Sequence, residues 1–147
     1  MQHDFLESDY LFKKRIAVFG INHIPSSPTI SHLKDINLHY NKFIARGCDE
    51  VWCVSFGDFA MFEFLMPKFS NSIRFIQNNN SLKFFQSLLK KKGHVDFLQD
   101  YWQFACVINR GQVECYLDQP FEKPIPIDTH ANIYSCVTPG NLLNQLK

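Results

Sequence analysis

Arg15 to Leu33 reads R-I-A-V-F-G-I-N-H-I-P-S-S-P-T-I-S-H-L. Arg15 to Ile21 is a short apolar run of the kind that forms a strand covered on both faces, and Gly20 and Asn22 mark where it stops. Pro25 and Pro28 forbid a helix across the loop, and Thr29 or Ser31 is placed to cap the helix that follows. From Ile30, apolar residues recur at Leu33, Ile36, Leu38, Tyr40, Phe43 and Ile44, close to helical spacing, until Gly47 supplies a stop. The stretch predicts a strand–loop–helix corner with free backbone N–H groups facing the loop. Such a corner favours anions and lowers the pKa of any thiol placed on it.

Outward from this corner the elements alternate. Asp49 to Phe56, D-E-V-W-C-V-S-F, reads as a second strand, and Gly57-Asp58 opens a short helix through Met66 that Pro67 ends. Ile73 to Ile76 is a third strand, and Ser81 starts an amphipathic helix, S-L-K-F-F-Q-S-L-L-K-K-K, closed by Gly93. Trp102 to Ile108 and Gln112 to Leu117 flank Asn109-Arg110-Gly111 as a β-hairpin. A proline-bearing extended loop covers Asp118 to Ile127, and Thr138-Pro139 opens a last helix through Leu146. The order β-α-β-α-β-α-β-β-α predicts an α/β fold: a thioredoxin-like mixed sheet flanked by helices, with an antiparallel last hairpin.

Composition narrows the class. The chain has 147 residues, 46% of them hydrophobic, which suits one domain with a sizeable core; 15 Phe make that core strongly aromatic. Net charge is +1, so no nucleic-acid partner is expected, and Lys13–Arg15 and Lys90–Lys92 read as solvated ends of elements. No run of about 18 apolar residues occurs, so no membrane span is expected. The polar, acidic start M-Q-H-D-F-L-E-S-D-Y does not suit a secretory signal, which implies the cytoplasm. Cys48, Cys53, Cys106, Cys115 and Cys136 form no C-x-x-C pair and are odd in number, arguing against a disulfide framework.

Specific residues carry a family resemblance. K-K-R-I-A-V-F-G (residues 13–20), then His32-Leu33, then A-R-G-C-D-E-V-W-C-V-S-F-G-D (45–58) resemble the peroxiredoxin 5 type of the redoxin family. There a strand ending F-G leads into P-G-A-F-T-P-x-C, then H-L, then K-G-x-x-x-V-x-C-x-S-x-x-D. Ile73-Arg74-Phe75-Ile76 is similar to the family's V-R-x-L strand, and Phe104 to Val113 to its R-[FY]-x-x-V-V-x-D-G-x-V hairpin. Cys136 to Leu146, C-V-T-P-G-N-L-L-N-Q-L, is similar in spacing to the C-S-L-A-P-N-I-I-S-Q-L ending of the animal enzymes. The resemblance implies a short N-terminal lead at 1–11 and a redoxin domain at 12–147, trimmed ahead of its first core strand.

The departures concern the chemistry. In the family the peroxidatic cysteine sits in the loop before H-L, supported by the helix N-terminus, a Thr hydroxyl and an Arg before the hairpin aromatic. Ile21 to Leu33 holds no cysteine; Ser26, Ser27 or Pro28 falls near the thiol position, Ile24 near the Thr, and Gln103 at the Arg. A serine hydroxyl has neither the acidity nor the oxidation states that peroxide reduction needs. Thiol peroxidase activity through this site is therefore predicted to be absent, while the resemblance implies an antioxidant family. Cys53 and Cys106 fall on strands as core thiols, while Cys136 matches the resolving cysteine; relocated redox chemistry through Cys136 or Cys53 is the alternative.

Other chemistry is thin. His23, His32, His39, His94 and His130 lack metal-ligand spacing, and no Gly-rich phosphate loop occurs, so neither a metal nor a cofactor is expected. His32 reads as helix-start packing. A Ser27–His23 or Ser26–His32 hydrolase pair lacks the G-x-S-x-G elbow. The expected role is binding or assembly, with an unidentified protein partner or as a homodimer, through an aromatic surface near Phe59, Phe62 and Phe64.

Overall fold

The computed structural model describes residues 13–21, 27–55, 72–76, 103–119 and 137–146. They form β1 (Arg15–Ile21), α1 (Ser27–Ala45), β2 (Glu50–Ser55), β3 (Ile73–Ile76), β4 (Gln103–Asn109), β5 (Gln112–Gln119) and α2 (Pro139–Gln145). The helices expected after Asp58 and at 81–92, and the Phe59, Phe62 and Phe64 surface, lie outside the described residues.

The strands make one mixed sheet in the order β3-β2-β1-β4-β5. β1 is central, parallel to β2 and antiparallel to β4; β2 and β3 are parallel, β4 and β5 antiparallel. The α/β, thioredoxin-like mixed sheet expected from the sequence is the observed architecture.

Alternation along the strands sorts the core. Ala17, Phe19, Val51, Cys53, Ile73, Phe75, Ala105 and Val107 face α1 and α2 in one hydrophobic cluster. α1 contributes Leu33, Ile36 and Phe43 at helical spacing, and α2 contributes Leu142 and Leu143. Each fully buried Leu, Ile or Phe side chain stabilises the fold by about 1.5–3 kcal/mol. The alternate residues, Ile16, Val18, Trp52, Val54, Phe104, Cys106 and Ile108, are also fully buried. A sheet covered on both faces accounts for the continuous apolar runs in β1 and β4.

Local chemistry sets the ends of the elements. α1 begins at Ser27, so Pro28 lies within its first turn rather than in the loop. That corrects the expectation of a start capped by Thr29 or Ser31. The first N–H groups of a helix have no intrahelical acceptor, so a proline there costs no hydrogen bond, and its fixed φ suits the helix. At the other end Cys48 N–H donates to the Phe43 carbonyl at 3.0 Å and Gly47 N–H to Ile44 at 3.1 Å, with Gly47 at φ +97°, a Schellman termination. In α2, Thr138 Oγ1 accepts from the Asn141 N–H at 3.2 Å and Pro139 takes the first helical position.

The β4–β5 turn is tighter than a three-residue loop. Asn109 pairs with Gln112, and the two residues between them, Arg110 (φ 52°) and Gly111 (φ 83°), are both left-handed, as a type I′ turn requires. The register then shifts: Val107 faces Cys115 while Ile108 faces Val113, so Glu114 is the extra residue of a β-bulge. β5 runs on to Gln119, two residues past the expected end.

Candidate functional site

The corner at the C-terminal end of β1 is built by three strands and a helix. Ile21 pairs with Ser55 of β2, and Gly20 pairs with Phe104 of β4. Gln103 is one residue beyond Phe104 and pairs with Gln119, so its backbone lies at this same end of the sheet. α1 starts at Ser27, bringing its N-terminal N–H groups and their partial positive charge to the corner. Ser26 and Cys136 lie outside the described residues, as do the side chains of Ser27 and Gln103.

The ground beneath the corner is apolar. Phe19 meets His32 edge-on, with ring centroids 5.9 Å apart at 76°, and Phe43 in the same manner at 5.8 Å. Burial holds the His32 imidazole neutral, with its pKa down at about 3. His32 is thus a packed ring in the first turns of α1, not a proton shuttle at neutral pH. On the opposite face the Phe104 ring stacks on Tyr116 and fills the space beside Gly20. Gly20 lies inside β1 rather than ending it, because any Cβ there would meet that ring.

The described thiols are poorly placed for nucleophilic work. Cys53 sits between Phe19 and Phe75 in the ladder, and Cys106 between Val18 and Tyr116; both are fully buried, and burial drives both thiols well above the ordinary range. Burial also pushes Cys48 up to about 11 and raises Cys115, which is half-buried. A thiol held protonated is neither a ready nucleophile nor easily oxidised. Among the described residues no three His, Cys, Asp or Glu side chains gather as metal ligands.

A polar constellation at the other end of the sheet escaped the sequence reading. Arg15 donates through Nε and Nη2 to the two carboxylate oxygens of Glu114, at 3.0 and 2.6 Å, and through Nη1 to the Arg46 carbonyl at 2.6 Å. That hydrogen-bonded pairing holds the Glu114 carboxyl below its usual range and raises Arg15. Lys14 pairs with Glu50 at 3.0 Å, and Glu50 also accepts from Trp52 Nε1 at 2.9 Å and faces Arg74 at 3.3 Å. Lys14 and Arg15 are therefore structural ion pairs, not solvated ends. The signal available in the sequence was the K-K-R cluster ahead of β1 together with the N-R-G turn, which antiparallel pairing of β1 and β4 brings to one end.

No protein-family model matches the chain, and no curated protein matches it in sequence. Solved structures do match. Reduced Prx3 of Vibrio vulnificus in complex with hydrogen peroxide superposes with a TM-score of 0.65 at 17% identity, over 98% of this chain and 83% of that one. The 1-Cys peroxiredoxin of Plasmodium falciparum gives 0.59 at 15% identity, over 87% and 80%. Peroxiredoxin 5 of Alvinella pompejana gives 0.56 at 15%, over 95% and 82%. The chain has the peroxiredoxin fold. No helix among the described residues is long and apolar enough to cross a membrane.

Proposed function

We propose that residues 12–147 form a redoxin-type domain of the peroxiredoxin 5 kind that does not reduce hydroperoxides at the β1–α1 corner and that acts through binding or assembly in the cytoplasm. The observation that carries this reading is the absence of any cysteine from Ile21 to Leu33 in a chain that has the peroxiredoxin fold. The helix N-terminus that would stabilise a thiolate is present, and the group it would stabilise is not. By the resemblance Ser26, Ser27 or Pro28 falls at the thiol position, and none of them can form a sulfenic acid. Gln103, uncharged, stands where the resemblance expects an arginine.

The test is turnover with hydrogen peroxide and t-butyl hydroperoxide in the presence of a thiol reductant, alongside light scattering to find a homodimer. No turnover above the free-thiol background is expected. Turnover abolished by Cys136→Ser would transfer the chemistry to Cys136, and turnover that survives removal of all five cysteines would overturn the reading.

A further inference from the structure

Among the described residues, the end of the sheet away from the β1–α1 corner carries an excess of positive charge outside ion pairs, around a hollow. A cavity of about 760 Å³ opens there, lined by Lys13, Arg15, Asp49, Asn109, Arg110 and Glu114 among others. A second hollow of about 500 Å³ lies between α1 and α2, lined in part by His39, Lys42, Arg46 and Asn144. The two adjoin through Arg46, whose carbonyl is held by Arg15 of the first hollow.

The charges do not cancel. Arg15 and Glu114 neutralise one another, and His39 faces Asp35 at 3.2 Å. Asp49 accepts from the Arg15 backbone N–H at 2.9 Å and donates its own N–H to the Arg15 carbonyl. Lys13, Arg110, Lys42 and Arg46 are exposed and have no ion pair among the described residues. Among the described residues, four cations outside any ion pair line the two hollows, against one carboxylate outside any ion pair, that of Asp49. The C-terminal carbonyls of α1 oppose an anion here, but those of Phe43 and Ile44 already accept from the N–H groups of Cys48 and Gly47, and the Arg15 guanidinium holds the Arg46 carbonyl just beyond.

Their supports are rigid. The type I′ turn fixes the Arg110 backbone, whose N–H donates to the Lys14 carbonyl at 2.9 Å, and the Schellman termination fixes Arg46. Arg46, one residue past the end of α1, follows Lys42 by one turn, its N–H donating to the Lys42 carbonyl at 3.1 Å. Two arginines and two lysines, shared between the two hollows, are the side chains that hold linked phosphate groups. We infer that these adjoining hollows form a binding site for the di- or triphosphate group of a small polyanion. The site is remote from the β1–α1 corner, so it stands or falls independently of the peroxidase reading.

The test is calorimetric titration of the full chain at low ionic strength with tripolyphosphate, a nucleoside triphosphate and orthophosphate. Tripolyphosphate is expected to bind at least about tenfold more tightly than orthophosphate, since each charge-assisted contact contributes about that factor. Lys13→Ala/Arg110→Ala and Lys42→Ala/Arg46→Ala are each expected to weaken it by about tenfold or more, while Lys34→Ala, exposed on α1 and outside both hollows, leaves it unchanged. Equal affinity for tripolyphosphate and the nucleoside triphosphate assigns recognition to the phosphate chain; a tighter nucleoside triphosphate adds the base. Equal binding of orthophosphate and tripolyphosphate, a Lys34→Ala loss as large as the double variants', or no binding overturns the site.

Discussion

Gly20 and Phe104 face each other across the β1–β4 ladder, and the Phe104 ring occupies the space that a side chain at Gly20 needs. A Cβ built on Gly20 would lie 2.8 Å from Phe104 Cζ and nearer still to Cδ1 and Cε1. The ring is fully buried and stacks on Tyr116 at 6.2 Å, so it has little room to swing aside. The glycine that leads into the loop is held there by packing.

Gly20→Ala is therefore expected to destabilise the fold by about 1–3 kcal/mol, the usual cost of overpacking. Urea unfolding measures it. Phe104→Leu in the same chain removes the ring and is expected to recover part of the loss, because the two sites touch and their effects are not additive. An unchanged midpoint for Gly20→Ala would contradict the packing.

His32 makes stability depend on mild acid. Its folded pKa is near 3, against 6.5 for the free side chain, so below pH 6.5 the unfolded chain takes up a proton that the folded chain refuses. Stability falls as pH drops from 6.5 toward 3, by about 1.4 kcal/mol per pH unit at most. Between pH 7 and 5.5 a loss of about 1 kcal/mol is expected, and His32→Leu is expected to flatten that interval. Urea midpoints at the two pH values give the answer.

The four described thiols differ in access. At pH 8 in the native protein, Cys115 is expected to be alkylated first among them, Cys48 slowly, and Cys53 and Cys106 only on unfolding. Peptide mass spectrometry over a time course resolves the order. Native labelling of Cys53 or Cys106 at the rate of Cys115 would contradict their burial.

The Arg15–Glu114 pair ties β1 to β5 across β4 at a bulge. Glu114→Gln keeps the shape and removes the charge, and is expected to cost about 1 kcal/mol near pH 7, in the range of partly exposed ion pairs with good geometry. Glu114's folded pKa is depressed, so its contribution is complete above the unperturbed 4.5 and is lost as pH falls through the folded value. The variant is therefore expected to converge on the native chain's stability in acid. Denaturant titrations at pH 7 and at stepwise lower pH through the acid range test both halves.

The parts legible in the sequence are those that local pattern governs. The apolar run at Arg15–Ile21, the Thr138-Pro139 start of α2 and the Gly47 stop of α1 each express a nearest-neighbour rule, and each stands in the structure. Pro28 was misread because a proline at the first turn of a helix and a proline in a loop look alike until the helix axis is known. The bulge at Glu114 is invisible for a different reason: it depends on the register with β4, not on the alternation within Q-V-E-C-Y-L. Arg15 and Glu114 are 99 positions apart, so no window along the chain joins them, and the basic hollow beside them was equally hidden. At the corner, the missing thiol was a matter of letters, whereas the packing of Gly20 on Phe104 needed the ladder.

The mixed character of the sheet has a consequence for biosynthesis. β1 gains its parallel neighbour β2 soon after emerging, since Asp49 lies only 34 positions beyond Arg15. Its antiparallel neighbour β4 runs to Asn109, so the ribosome translates well over half the chain before the other side of the central strand can close. During that interval the N–H and C=O groups of that side of β1 face outward beside apolar residues, a template for pairing with another nascent chain. The β4–β5 hairpin is closed by a two-residue turn and so is local in sequence, which lets it form fast once Gln119 has emerged. Until then, the strand that ends up at the centre of the sheet has one side open.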